Sequence, residues 1–326
     1  MFVVRFDLRA PGVDGPGRAA RHRAAVDMAR YADGHGCASI VVSEHHSSDD
    51  GYLPSPLVLA GAMAAATTTS PIVVAVALLP LYDPVRLAED IITLDHLSEG
   101  RSLVVLGIGY RPVEYDLYGV DFRSRGRIAD EKLARLLDLL DGAALGDDAV
   151  RVTPSPLTRP RPNLAWGGSS PAAARRAGRN GLGFFAQTDT PGLREAYEQA
   201  ARSAGHQPGL CVLPSPAAPY ATFVADDVDR GWDEVGDALL VDAVAYQQWN
   251  RAAHTEPGTA SLSTATTAAE LRSTEGAHRV LTPDAARAVI AEHGLLTLHP
   301  LCGGLDPAVA WPYLERGVAA AVGVTS

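Results

Sequence analysis

The chain has 326 residues, 47% of them hydrophobic, and a formal net charge of −10. That length suits one large α/β domain or two smaller ones, and an acidic chain without any basic block argues against nucleic acid or an anionic membrane as partner. Its three cysteines, Cys37, Cys211 and Cys302, are an odd count without a CxxC pair, which argues against a disulfide framework or a zinc knuckle.

The start, MFVVRFDLRAPG, lacks a basic stretch followed by a long apolar one. No window approaches about 18 charge-free apolar residues of membrane character. The expectation is a soluble, cytoplasmic protein. FVVRFDL (2–8) reads as a strand, 18–35 as a helix and SIVVS (39–43) as a second strand. PLVLAGAMAAAT (56–67) is an Ala-rich helix opened by Pro54-Ser55-Pro56. PIVVAVALLPL (71–81) is a third strand, apolar on both faces. In PVRLAEDIITLDHL (84–97), Leu87, Ile91 and Leu94 recur at helical spacing, and Gly100 marks a stop. SLVVLGIG (102–109) is a fourth strand and 124–141 an amphipathic helix.

After a Pro-rich connection (153–162), NLAWGG is a fifth strand, SPAAARRAGRN a helix, GLGFFA a strand and 191–204 a helix. YATFVAD (220–226) is a strand and 227–249 a helix. Residues 254–277, rich in Thr, Ser and Ala, show no periodicity and read as a mobile insertion. DAARAVIAEH is a helix, LLTLHPL (295–301) a strand, and DPAVAWPYLERGVAAAV the last helix. Strands apolar on both faces that alternate with helices mean a parallel sheet covered by helices. About eight such units predict one (β/α)8 barrel over residues 1–326. An open Rossmann-like sheet is the alternative, but the early GxGxxG it needs is missing.

Active sites of such barrels lie at the carboxyl ends of the strands. The second strand ends on Glu44-His45-His46. Metal binding is disfavoured, because neighbours on a strand point to opposite faces. The first strand also lacks the His-x-His with which metal-dependent hydrolase barrels start. Two readings stay open: a histidine that caps loop backbone, and one that moves protons near neutral pH.

SEHH…GYLPSP, LLPLYDPVRLAEDIITLDHLSEGR, GIGYRPVEYDLYGVDFRSR and WGGSSPAAARRAGRNG, in that order over about residues 38–185, resemble the luciferase-like flavin-dependent monooxygenases. LCGGLDPAVAW near the end resembles them more weakly. The resemblance implies a (β/α)8 barrel, a homodimer, and reduced FMN supplied by a separate reductase for oxygenation of a small organic substrate. A deazaflavin (coenzyme F420) serving hydride transfer is the alternative, and a non-catalytic flavin-binding partner subunit a further one. His45 becomes the candidate catalytic proton donor or acceptor. Gly167-Gly168-Ser169-Ser170, ending a strand and opening a helix, suit the flavin phosphate; plain serine N-capping is the other reading. The family's non-prolyl cis peptide under the flavin ring aligns with Ala75-Val76. Gly107 and Gly109 would allow close approach, or simply turn the chain. His46, Tyr52, Tyr110, Arg111 and Glu114 are candidate substrate contacts, and no metal is expected. In LDHLSEGR, Arg101, Asp95 and Glu89 are expected to form a structural ion-pair cluster. The chain departs from the luciferase catalytic subunit where Ile108 replaces a phosphate-contacting arginine and Gly107 a reactive cysteine. That argues against long-chain aldehyde chemistry and leaves Arg111 as the substitute for the arginine.

Overall fold

The computed structural model describes residues 1–144, 150–252, 263–274 and 276–323. In chain order the elements are β1 (Phe2–Phe6), α1 (Gly15–Asp33), β2 (Ser39–Val42), α2 (Pro56–Ala66), β3 (Ile72–Leu78), α3 (Pro84–Leu97), β4 (Ser102–Gly107), α4 (Pro112–Tyr118) and α5 (Arg125–Leu140). There follow β5 (Asn163–Gly167), α6 (Pro171–Arg179), β6 (Gly183–Phe185), α7 (Leu193–Ser203), β7 (Cys211–Val212), β8 (Ala221–Val224) and α8 (Val228–Ala252). α9 (Ala268–Ser273), β9 (His278–Leu281), α10 (Pro283–His293), β10 (Leu296–Leu298) and α11 (Pro307–Val322) complete the series.

Internal contacts divide the chain into two compact units. The first comprises residues 1–54, 66–70 and 214–326, the second residues 55–65 and 71–213. The strands of the first unit run β2-β1-β10-β8-β9, all parallel. Its core packs Phe223, Trp232, Val235, Leu239, Val280 and Tyr313 between sheet and helices. The strands of the second unit run β3-β4-β5-β6-β7, also all parallel. β7 and β9 were not anticipated. Two and four residues long, they carry too little pattern to be read alone, and pairing with β6 and β8 decides them.

Local chemistry explains the element ends. The Asp83 carboxylate accepts from the amides of Val85 and Arg86 at 2.9 and 3.1 Å, and Pro84 opens α3. Leu87, Ile91 and Leu94 are buried along one face, as the spacing predicts. The expected Arg101–Asp95–Glu89 cluster is different: each member bonds elsewhere. Asp95 accepts from the amide and hydroxyl of Thr158 at 2.9 and 2.5 Å. Arg101 donates to the Ala64 carbonyl, and Glu89 faces Arg86. The run is structural, but it staples the Pro-rich connection and α2 rather than closing on itself.

Of the expected insertion at 254–277, residues 253–262 and 275 lie outside the described residues. Within the rest, α9 is a helix capped by Thr267, whose hydroxyl accepts from the Glu270 amide while the Glu270 carboxylate accepts from Thr266. It buries Leu271 in the first unit's core.

Candidate active site

In the second unit the register of β3 against β4 shifts between Ala75 and Ala77, so Val76 is left without a partner. The Ala75–Val76 peptide is cis, as the resemblance implied. The Val76 side chain reaches over the ends of the next two strands. A methyl group added at Gly107 would stand 2.9 Å from Val76 Cγ2, and one at Gly167 would stand 2.7 Å from Val76 Cγ1. Both glycines are therefore needed for a reason the sequence did not show: their missing side chains make room for Val76. Gly109, at φ +66°, takes a conformation that favours glycine. Beyond it, Tyr115 is buried and donates to the Ile108 carbonyl. Arg111 pairs with the fully buried Glu114 at 3.1 Å, while Tyr110 is half-buried.

β5 runs through Gly167 and Gly168 into α6. A side chain at Gly168 would strike Ala173 at 2.7 Å. Ser170 caps α6, its hydroxyl accepting from the Ala173 amide at 3.2 Å, so the N-capping reading holds for this residue. Ser169 and Ser170 are exposed at the helix start. Arg176, in the last turn, binds Asp130 at 2.7 Å and lies 5.0 Å from the Trp166 ring, fixing the helix on its strand.

In the first unit the Glu-His-His run splits by side. Glu44 and His46 are buried together, Oε1 to Nε2, 2.6 Å apart. His45 faces the other way. Its ring centre is 4.7 Å from that of Trp249, 4.9 Å from Tyr52 and 6.4 Å from Tyr246. Tyr52 is itself buried, and its hydroxyl meets that of Tyr246 at 3.0 Å.

The sequence reading missed the charged interior beside these rings. Arg5, Asp7 and Arg9 alternate along β1 and its extension and are all buried. Arg9 stands 2.6 Å from Asp50 and 3.3 Å from Asp242; Asp7 stands 3.4 Å from His299, and Asp242 lies 2.8 Å from His278. Burial alone would raise the Asp7 carboxyl, but His299, Arg9 and Arg5 hold it well below the usual carboxylate range. Burial likewise opposes ionisation of Asp242, and His278 and Arg9 overcome it. Two patterns could have revealed the group: Arg-x-Asp-x-Arg on a strand, period two, and Asp242, Tyr246 and Trp249 at i, i+4 and i+7 on α8. Ligand atoms of Asp242, His299 and Cys302 lie within 4.8 Å of one another. The Arg9 guanidinium and His278 already face the two oxygens of Asp242, and burial drives the Cys302 thiol well up, so the trio reads as part of an ion network.

Residues 2–293 match the family model described as luciferase-like monooxygenase. The chain belongs to the luciferase-like monooxygenase family. Among solved structures of similar fold, monooxygenase RslO1 from Streptomyces bottropensis is 21% identical, covers 100% of both chains and superposes with a TM-score of 0.77. The oxygenating constituent of the 3,6-diketocamphane monooxygenase of Pseudomonas putida, in complex with FMN, is 19% identical, covering 97% of this chain and 96% of its own, with a TM-score of 0.72. An F420-dependent secondary alcohol dehydrogenase with an F420-acetone adduct is 15% identical, covering 98% and 97%, with a TM-score of 0.67. The fold is that of the luciferase-like (β/α)8 barrels, as expected. The chain spans about half the length of the curated relatives it matches, 51% for each of two uncharacterized proteins of Sinorhizobium fredii that are 29% and 31% identical to it. Among the described residues of this luciferase-like chain, no helix is long and apolar enough to cross a membrane.

Proposed function

We propose that this chain is a flavin-dependent monooxygenase that uses reduced FMN from a separate reductase to oxygenate a small organic molecule, and that it works in the cytoplasm as a homodimer. The observation that supports this most is the arrangement of three consecutive strand ends in the second unit. β3 bulges at Val76, β4 and β5 end on the glycines that admit it, and β5 leads into a serine-capped helix start. These residues fit a flat ring with a phosphate tail. Ala75, Val76 and Gly109 offer surface to the ring, and Gly107 acts by admitting Val76. Gly167, Gly168, Ser169, Ser170 and the amides of α6 offer an anion site. A reduced flavin supplies the electrons that activate dioxygen.

The chain's own residues do the rest. His45, set among rings and buried, gives or takes a proton at a ring nitrogen. In the first unit Glu44 holds His46, and Tyr52, whose ring meets that of His45, is the substrate contact; in the second unit Glu114 anchors Arg111 beside Tyr110. Coenzyme F420 and hydride transfer form the second reading, supported by the F420-bound enzyme of the same fold. Anaerobic titration with FMN, reduced FMN and reduced F420 separates them. Reduced FMN binding at least about tenfold tighter than F420 supports oxygenation. The reverse order replaces it with hydride transfer, and no binding of any of the three overturns both.

A further inference from the structure

Lys132 is the only lysine in the chain. On α5 it shares a face with Ala129, Leu133 and Leu136, at i, i+3, i+4 and i+7, and those three are buried. Helical spacing thus asks for an apolar residue where the lysine stands. Its side chain is half-buried, and burial pulls its pKa down from the ordinary value while the Asp83 carboxylate acts the other way. Setting an ammonium group there costs free energy unless hydrogen bonds hold it. Nζ donates to the Pro80 carbonyl at 2.7 Å and to the Tyr82 carbonyl at 2.6 Å.

Those two carbonyls belong to a single 3₁₀ turn, Leu79–Leu81, and its cap Tyr82, which follow β3 directly. The turn closes on one bond, from the Tyr82 amide to the Leu79 carbonyl at 3.2 Å. Pro84 opens α3 without an N–H to give back to the turn. Carbonyls at the end of a turn need a donor from elsewhere, and Lys132 supplies it from another helix.

The same segment shapes the proposed ring slot. Val76 has no partner in β4, and pairing resumes at Ala77 and Leu78, against Leu106 and Gly107. A bulged residue interrupts the ladder, so its place depends on how the chain is tied on either side. Upstream, Ile72 to Ala75 pair with β4. Downstream there are two pairs and then the turn that Lys132 holds. Leu78, Leu81 and Tyr115 form a buried cluster on which Val76 packs. A methyl group at Gly109 would stand 3.1 Å from Leu78 Cδ2. The turn is therefore continuous with Val76 on one side and reaches Gly109 through Leu78 on the other.

We propose that Lys132 is a positioning residue: its ammonium group, bonded to the Pro80 and Tyr82 carbonyls, holds the segment from Val76 to Tyr82 in the conformation that the flavin slot uses. The proposal rests on the reading of the second unit as the flavin site.

The test compares the full-length wild type with Lys132→Met, which keeps the length and loses the donors, and Lys132→Arg, which keeps charge and donors. Amide hydrogen exchange of the flavin-free protein is followed at residues 76–82, with residues 169–174 as internal control, and the same proteins are titrated anaerobically with reduced FMN. In Lys132→Met, exchange at 76–82 should rise about tenfold or more while 169–174 stays unchanged, and reduced FMN should bind about tenfold or more weakly. Lys132→Arg should return both to within about threefold of wild type. An equal rise in both segments makes the lysine a general stabiliser and overturns the proposal. Unchanged exchange or unchanged affinity in folded Lys132→Met overturns it too, as does a Lys132→Arg protein impaired as much as Lys132→Met. Should Lys132→Met fail to fold, Lys132→Gln, without the charge, serves in its place against the same outcomes. A wild type that does not bind reduced FMN defeats the flavin reading alone, and exchange in the flavin-free protein then decides whether Lys132 holds the segment.

Discussion

The Glu44 carboxylate lies 2.6 Å from Nε2 of His46, with both side chains buried, while His45 between them turns to Tyr52 and Trp249. An extended backbone sends alternate side chains to opposite sides. Three adjacent polar residues thus become one structural pair and one histidine among rings, and the two can be separated by mutation.

For His45→Ala, turnover in the proposed oxygenation should fall by about 10²-fold or more, the scale of a lost general acid or base. Affinity for reduced FMN should hold, since the proposed phosphate site uses Ser169 and Ser170. Glu44→Ala should behave differently and cost about 1–3 kcal/mol of stability by leaving buried His46 without its carboxylate. Urea unfolding beside turnover checks both. A His45→Ala protein that is destabilised in step with its loss of activity would make this histidine structural.

Val76 and the glycines it overhangs form a second testable unit. Gly167→Ala places a methyl group 2.7 Å from Val76 Cγ1 and 3.2 Å from Val105 Cγ1. We expect a loss of about 1–3 kcal/mol from overpacking. Val76→Ala in the same chain should restore part of it, giving a favourable coupling of about 0.5 kcal/mol or more in a double-mutant cycle. Strict additivity would show that the two positions do not touch.

Asp33, at the end of α1, accepts from the amides of Thr68, Thr69 and Ser70 at 2.8, 3.0 and 2.6 Å. Burial opposes its ionisation, but these bonds and the Thr69 hydroxyl win and hold the carboxyl well below its usual range. A carboxyl depressed in the folded state stabilises above its unfolded pKa, about 3.9, and that contribution disappears as pH falls through the folded value. Asp33→Ala should therefore cost about 2 kcal/mol or more at pH 7, and the gap to wild type should narrow below about pH 4. Urea midpoints across pH 7 to 3 measure this; a gap that widens on acidification rejects the argument.

Arg9 is surrounded by Asp7, Asp50 and Asp242. Arg9→Met should cost about 3–5 kcal/mol, because breaking a buried pair leaves its partners as uncompensated charge. The same sign applies: Asp7 and Asp242 are held low in the wild type, so its advantage over the variant shrinks in acid. Chemical unfolding at pH 7 and at about pH 3, below the unfolded carboxylate value, provides the check, and a variant as stable as wild type at pH 7 contradicts it.

Much of this was readable along the chain because periodic burial and end chemistry are local. α3 begins and ends where Asp83-Pro84 and the spacing of Leu87, Ile91 and Leu94 placed it. β3, β4 and β5 could be read because a strand buried on both faces is a continuous apolar run. The cis Ala75–Val76 peptide followed from the family resemblance. Shorter pieces were not readable: β9, His278–Leu281, is one alternation long, and α9 was hidden in a Thr- and Ser-rich stretch until Leu271 found a core.

The sequence by itself therefore determined the alternation of strand and helix and the family, and it pointed to strand ends as the candidate site, since each is carried by neighbours within a few residues. Only the tertiary structure decided that Gly107 and Gly167 are reserved for Val76, that Asp95 holds Thr158, and that Arg9 meets Asp50, Asp242 and Trp249. Those partners lie from about thirty to more than two hundred positions apart, and no local period encodes them. They are brought together because parallel strands joined through helices place residues distant in sequence side by side.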